Sequence, residues 1–266
     1  MFGGNKLELV RQNNPLIHCM TNDVVMNFTA NGLLAIGASP VMAFSAAETE
    51  DMASVADALL LNIGTPSNEG VDSMILAGKA ANRAGKPVIF DPVGVGATPF
   101  RNEISKRILN EVDVALVRGN AGEIAALLGQ AGTVKGVDGK INADVKELCL
   151  QAAKALRTVV VVTGEVDAVS NGEQLVAVAN GHEWLTKVVG TGCLLGGVIA
   201  AYAAVQPNSL VDAAVEALAF YGVCAEQAYK QTKNEGIGSF QQTFLNELGN
   251  MTDEKAATLK RVEQIC

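Results

Sequence analysis

The sequence predicts an α/β fold of three layers, with a central, mostly parallel sheet flanked by helices. Three observations carry this. Short apolar runs alternate with segments of helical spacing along most of the chain. The runs are continuously apolar, as strands covered on both faces are. The apolar content is mainly Ala, Val, Leu and Ile, with aromatics only 5% of 266 residues, which suits helices packed on a sheet.

In chain order, "LIHCMT" (16–21) reads as a strand and "DVVMNFTANGLLAIG" (23–37) as a helix closed by glycine. "SPVMAF" (39–44) reads as a strand and "AETEDMASVADA" (47–58) as a helix. Next come a strand at "LLLNIG" (59–64), a helix over 68–84 and a strand in "KPVIFDPVG" (86–94). A helix near 99–111 leads into "VALVRGN" (114–120), then the helical "AGEIAALLG" (121–129). A polar, Gly-rich stretch over 129–142 precedes a helix near 143–156 and the strand "TVVVVTG" (158–164). "DAVSNG" and "QLVAVANG" read as a hairpin, and after Gly192 nearly all is helix. No linker, charge block or repeat interrupts the pattern, so residues 1–266 are expected to form one domain.

Composition narrows the function. Hydrophobic residues make up 49% and charged residues 18%, enough for a large core. The net charge of −8 without a basic stripe argues against nucleic acid and anionic membrane as partners. Five cysteines, with no C-x-x-C spacing, argue against a disulfide framework or zinc site and for a reducing cytoplasm. The opening "MFGGNKLELVRQNN" lacks the apolar stretch of a signal peptide. Residues 188–205 carry no charge, but their glycines mark a loop feeding a buried helix rather than a membrane span.

In a parallel sheet the ligand binds beyond the carboxyl ends of the strands. Those ends carry Thr21 and Asn22, Met42, Asp91, then Arg118, Asn120 and Glu123, then Thr163 and Gly164. To these the segment "VVGTGCLLGG" (188–197) adds Gly190, Thr191, Gly192 and Cys193 ahead of an apolar helix. Glycines let backbone amides approach a ligand, and a helix start supplies unpaired N–H groups with a positive dipole end. Together they suit an anion site, and equally a tight turn with close helix–sheet packing. Two carboxylates on the same rim, Asp91 and Glu123, suit Mg²⁺, which uses oxygen ligands together with phosphate oxygens. Each also has an ordinary explanation: a turn residue before Pro92 for Asp91, first-turn charge on a helix for Glu123. Arg118 favours the site, because an arginine at a strand end needs a phosphate or carboxylate partner. Cys193 abuts the glycine turn and is read as functional. Cys19, Cys149, Cys224, Cys266, His18, His182 and Trp184 are read as packing residues.

These pieces, in this order, resemble the ribokinase-like superfamily. Its G-A-G-D anion-hole motif is matched by Gly190-Thr191-Gly192-Cys193, and its N-x-x-E motif by Asn120-Ala121-Gly122-Glu123. Within it, residues 14–42, "DPVGVGAT" (91–98), "RGNAGE" (118–123), "VVVTGEVDAV" (160–169) and "GTGC" look like the hydroxyethylthiazole kinase family. The likeness spans nearly the whole chain and is weakest over 129–155 and after about 235. The resemblance implies a three-layer ribokinase-like fold and ATP-dependent phosphorylation of 4-methyl-5-(2-hydroxyethyl)thiazole, a step of thiamine biosynthesis or salvage. It implies ATP at Arg118, Thr163, Asn120 and Gly192, the thiazole alcohol at Met42, Gly190 and Asn22, and Mg²⁺ at Asp91 and Glu123. It also implies a homotrimer with active sites at subunit interfaces. Where sugar kinases of the superfamily carry an aspartate base, this chain has Cys193, as thiazole kinases typically do.

An unperturbed thiol titrates near about 8.5, so it is mostly protonated at neutral pH. A helix N-terminus lowers that value and a nearby phosphate raises it. Because phosphoryl transfer relies on positioning and charge stabilisation, loss of the anion hole or Arg118 is expected to cost more than loss of the thiol. Three other readings compete. A related kinase of a pyrimidine or pyridoxal-type alcohol would normally carry Asp at position 193. A thiol-nucleophile enzyme needs His18 or His182 beside Cys193. A nucleotide sensor would bind ATP without releasing ADP.

Overall fold

Residues 6–130 and 141–266 are described by the computed structural model. The chain enters through α1 (Lys6–Asn13), which the strand pattern did not reveal, and β1 (Leu16–Met20). Then follow α2 (Met26–Ile36), β2 (Ser39–Val41), α3 (Thr49–Val55), β3 (Ala58–Asn62) and α4 (Asn68–Arg83). The central elements are β4 (Val88–Asp91), α5 (Pro99–Glu111), β5 (Leu116–Asn120), α6 (Ala121–Leu127), α7 (Ile141–Leu156) and β6 (Val159–Thr163). The hairpin of β7 (Asp167–Ser170) and β8 (Leu175–Val178) leads through a 3₁₀ turn (Glu183–Lys187) into α8 (Thr191–Val205). The chain ends with α9 (Leu210–Thr232), α10 (Ile237–Asn250), α11 (Asp253–Leu259) and β9 (Val262–Gln264). Most of the Gly-rich stretch read over 129–142 lies outside the described residues.

Among the described residues nine strands form one sheet, in the order β2-β1-β3-β4-β5-β6-β7-β8-β9. β2 through β6 run parallel and β7 to β9 antiparallel. Side chains alternate across each strand, so Leu60 and Ile89 face one helical layer while Leu59, Leu61 and Phe90 face the other. The first layer holds α1, α2, α8, α9 and α10; the second holds α4, α5, α6 and α7. This is the three-layer arrangement the sequence predicts.

The uncharged segment 188–205 is the middle of the first layer. From Leu194 to Ala203 every α8 residue is buried. Small residues allow this: a Cβ on Gly32 of α2 would come within 2.3 Å of Leu194, and one on Gly196 within 3.0 Å of Leu60. The expectation of helix to the chain end needs one correction. Val262–Gln264 pairs antiparallel with β8, Val176 opposite Gln264 and Val178 opposite Val262. A three-residue edge strand with one valine has no apolar run to signal it; pairing alone creates it. β2 likewise covers only three residues of the run read as 39–44.

Candidate active site

The parallel register places polar strand ends side by side. Asn62 at the end of β3 is opposite Asp91 at the end of β4, and Asn120 of β5 is opposite Thr163 of β6. The start of α8 is laid against this rim. A Cβ on Gly192 would lie 3.2 Å from Arg118 Nη1, and one on Gly196 3.8 Å from Asp91 Oδ2. Gly190 makes the turn into the helix at φ 94°, a left-handed conformation that favours glycine. Its neighbours fix it: Thr191 Oγ1 donates to Leu185 O at 2.6 Å, and Tyr221 OH donates to Thr191 O at 2.6 Å. The first intrahelical bond runs from Leu194 N to Gly190 O at 2.8 Å, so the amides of Thr191, Gly192 and Cys193 precede the ladder. They form a short row of helix-start donors beside a guanidinium.

A chain of buried polar groups runs along this edge. Asn22 Nδ2 donates to Cys193 Sγ at 3.4 Å and to Asn62 Oδ1 at 2.9 Å. Asn62 Nδ2 donates to Asp91 Oδ2 at 2.8 Å. That same oxygen lies 3.6 Å from Arg118 Nη1, and Arg118 Nη2 donates to Thr163 Oγ1 at 2.9 Å. The structure thus brings together Asn22, Asp91, Arg118, Thr163, Gly192 and Cys193. Gly190 stands just before them, against Val25 and Phe28. Met42 follows the end of β2, half-buried against the α8-side core and outside the polar chain.

Asn120 and Glu123 are arranged differently. Asn120 Oδ1 accepts from Glu123 N and Glu123 Oε2 accepts from Asn120 N, both at 2.9 Å, a capping box at the start of α6. Glu123 Oε1 also accepts from Gly94 N at 2.9 Å. Both carboxylate oxygens therefore hold backbone, although Glu123 is near enough for its charge to act on Asp91.

Burial sets the protonation states. It pushes Asp91 up to about 7 against the pull of Arg118; the Glu123 charge adds to the rise and the Asn62 bond opposes it. Cys193 is raised first by burial and then by the Asp91 charge, with Asn62, Asn22 and Arg118 opposing. The thiol is therefore protonated at neutral pH.

The raised Asp91 has a consequence for stability. Between about pH 4 and about 7 the folded state holds a proton that the unfolded chain has released, so stability falls as pH rises through this window. Asp91→Asn has no such proton. In metal-free protein, the melting temperature of Asp91→Asn relative to wild type should climb from pH 5 to pH 8. The slope is at most about 1.4 kcal/mol per pH unit. A difference flat in pH would contradict the neutral, buried carboxyl.

Most residues read as packing do pack; Cys266 does not, because it lies just past the edge strand β9, where its thiol is exposed. Cys19, Cys149 and Cys224 are buried, the first two thiols pushed up to about 12 by burial. His18 Nε2 bonds Ala43 O at 2.9 Å, and burial lowers its pKa. His182 stacks on Tyr229 at 3.6 Å, and Trp184 sits edge-on to Phe240. Since neither histidine bonds Cys193, the nucleophile–base pair that a thiol enzyme needs is not assembled. Among the described residues no three His, Cys, Asp or Glu side chains converge as a metal cage. Asp91 Oδ1 is nevertheless buried without a hydrogen-bond partner, an open acceptor that fits a cation sharing its shell with a ligand.

Sequence reasoning missed Asn62. It ends "LLLNIG" as Asp91 ends "VIFDPVG", so the same strand-end rule applied to β3 points to it.

The model of the hydroxyethylthiazole kinase family matches residues 7–254. The chain belongs to the hydroxyethylthiazole kinase family. A curated family member from Shouchella clausii (strain KSM-K16), named hydroxyethylthiazole kinase, is 98% identical over 260 residues, covering 98% of this chain and all of the relative. A solved hydroxyethylthiazole kinase structure from Pyrococcus horikoshii OT3 matches with TM-score 0.90 and 42% identity, covering 98% of each chain. A ribokinase-like superfamily protein from Enterococcus faecalis V583 matches with TM-score 0.66 at 10% identity, covering 91% of this chain and 93% of its own. That last likeness shows the shared ribokinase-like fold. Family membership makes the protein a kinase and removes the thiol-enzyme and sensor readings.

Proposed function

We propose that the protein transfers the γ-phosphoryl group of ATP to the hydroxyl of 4-methyl-5-(2-hydroxyethyl)thiazole, within thiamine biosynthesis or salvage. The observation carrying this reading is the meeting of Arg118, Asp91 and Cys193 at the first amides of α8, just behind Gly190. In the reaction the alcohol oxygen bonds the γ-phosphorus and gives up its proton to an oxygen of the transferred phosphoryl group, the bond to the bridging oxygen breaks, and ADP departs with that electron pair. The amides of Gly192 and Cys193 and the Arg118 guanidinium face the charge that spreads over the phosphoryl oxygens. Thr163 holds one end of Arg118 and, with Asn120, borders the nucleotide side. Asn22, Met42 and Gly190 border the acceptor side.

Asp91, through its open oxygen, and Glu123, through its charge, are the groups that would hold Mg²⁺. When bound, Mg²⁺ neutralises charge on the β- and γ-phosphates. We assign residues 1–266 to a single kinase domain. We also read the apolar Val24 and Val189, 69% and 68% exposed beside the Gly190 turn, as a subunit contact in a trimer. Light scattering should then give close to three times the 27.6 kDa chain mass; a monomer would contradict that contact.

A coupled ADP-release assay tests the function. Turnover should depend on the thiazole alcohol and be at least about tenfold weaker with hydroxymethylpyrimidine or pyridoxal. Equal or stronger turnover on either competitor would move the protein to the related kinase reading.

Cys193 is placed to position the alcohol rather than to ionise. Cys193→Ala should lower kcat by no more than about tenfold. Cys193→Asp should keep or raise kcat, because it installs a stronger acceptor in the same slot. An inactive but folded Cys193→Asp would show that this position does not face the alcohol.

A further inference from the structure

Asn62 is 1% exposed, and every polar atom of its carboxamide is engaged. A side-chain amide can be turned either way round, and its bonds decide which. Here the decision is forced. Gly64 N donates to Asn62 Oδ1 at 3.0 Å, and a backbone N–H can only donate. The oxygen must therefore face Gly64, which leaves Nδ2 facing the Asp91 carboxyl at 2.8 Å.

The direction propagates. With Asn62 presenting its oxygen, Asn22 must present its nitrogen, at 2.9 Å. The same nitrogen reaches Cys193 Sγ at 3.4 Å. The Asn22 oxygen is then the end left for a donor, such as a hydroxyl. Gly64 also makes room, since a Cβ there would fall 2.4 Å from Asn22 Nδ2.

We infer that Asn62 is a positioning residue: anchored by the Gly64 amide and Asp91, it sets the orientation of the Asn22 carboxamide and so presents an oxygen acceptor and a held thiol to the alcohol. Its kinetic consequences rest on the kinase reading above; its geometry does not. If Asn62 acts through Asn22, removing either has the same effect and removing both adds little.

The experiment compares Asn62→Ala, Asn22→Ala, the double variant and Asn62→Asp, each checked by thermal melting. Asn62→Ala and Asn22→Ala should each lower kcat/KM for the thiazole alcohol about tenfold, with KM for ATP unchanged within about twofold. The double variant should be within about twofold of the worse single variant. Asn62→Asp keeps the acceptor toward Gly64 and Asn22 and decides the matter if Asn62→Ala fails to fold. It should keep KM for the alcohol within about twofold while kcat falls, since a second carboxyl now faces Asp91. Multiplicative losses in the double variant, or a KM for the alcohol raised as much by Asn62→Asp as by Asn22→Ala, would overturn the inference. A readout independent of turnover is the side-chain amide NMR signal of Asn22, assigned by its loss in Asn22→Ala. It should be dispersed in wild type and Asn62→Asp, and collapse to the solvent-exposed position in Asn62→Ala. An unchanged signal in Asn62→Ala would overturn the inference even if the protein phosphorylated no thiazole.

Discussion

Arg118→Met should lower kcat/KM for ATP by about a thousandfold while leaving a folded protein. The guanidinium is almost buried, its side chain 12% exposed, between Asp91 Oδ2 at 3.6 Å and Thr163 Oγ1 at 2.9 Å. Those contacts hold it beside Gly192, where the helix-start amides of α8 converge. An arginine fixed in this way meets developing phosphoryl charge with two N–H groups at once and needs no reorganisation during the reaction. Methionine keeps the apolar stem and removes the charge. Asp91 tolerates the loss because burial already favours its neutral form at about 7. Arg118→Lys should recover little, since a single ammonium cannot reach both Thr163 and the phosphoryl oxygens in the same fork geometry. Steady-state ADP release and a thermal melt on each variant check this. A loss below about tenfold in folded Arg118→Met would remove Arg118 from the reaction.

Gly192→Val should be nearly as damaging, with a loss of about a hundredfold or more in kcat. The reason is steric. A Cβ at this position sits 3.2 Å from Arg118 Nη1, and a branched side chain adds two methyl groups over the amides. Stability and activity should part company here. Gly192 lies in the first turn of α8 with ordinary backbone angles, so replacing glycine by valine favours the helix by about 0.3 kcal/mol. A variant close to wild type in stability yet nearly inactive is the expected result. Normal kinetics in Gly192→Val would mean that the α8 start does not face the phosphoryl group. Both losses should exceed that of Cys193→Ala, as expected if charge placement outweighs proton removal.

The rim was legible in the sequence because continuously apolar strands end abruptly in polar residues. "VIFD", "LVRGN" and "VVVVT" each deliver a functional group, and parallel pairing aligns those ends without further information. Three things were not legible, each for a physical reason. β9 exists only through its pairing with β8, and pairing is a tertiary event that three residues with a single valine cannot announce. The Asn120-x-x-Glu123 spacing fits a metal motif and a helix cap equally well. Only the bonds to Glu123 N, Asn120 N and Gly94 N show the cap. The protonation of Cys193 was weighed in the sequence as a helix start against a phosphate, whereas the groups that set it are neighbours that only the fold brings together. Burial and the Asp91 charge prove larger than the opposing influence of Asn62, Asn22 and Arg118.

The central claim is that the bend at Gly190–Gly192 and the first amides of α8, with Arg118, hold the phosphoryl group that is transferred. A crystal structure with a non-hydrolysable ATP analogue and Mg²⁺ tests it directly. The account predicts γ-phosphate oxygens about 3 Å from the amides of Gly192 or Cys193 and from the Arg118 guanidinium, with the Cys193 sulfur facing the phosphorus. A triphosphate bound elsewhere on the rim, with those amides facing only solvent, would contradict it.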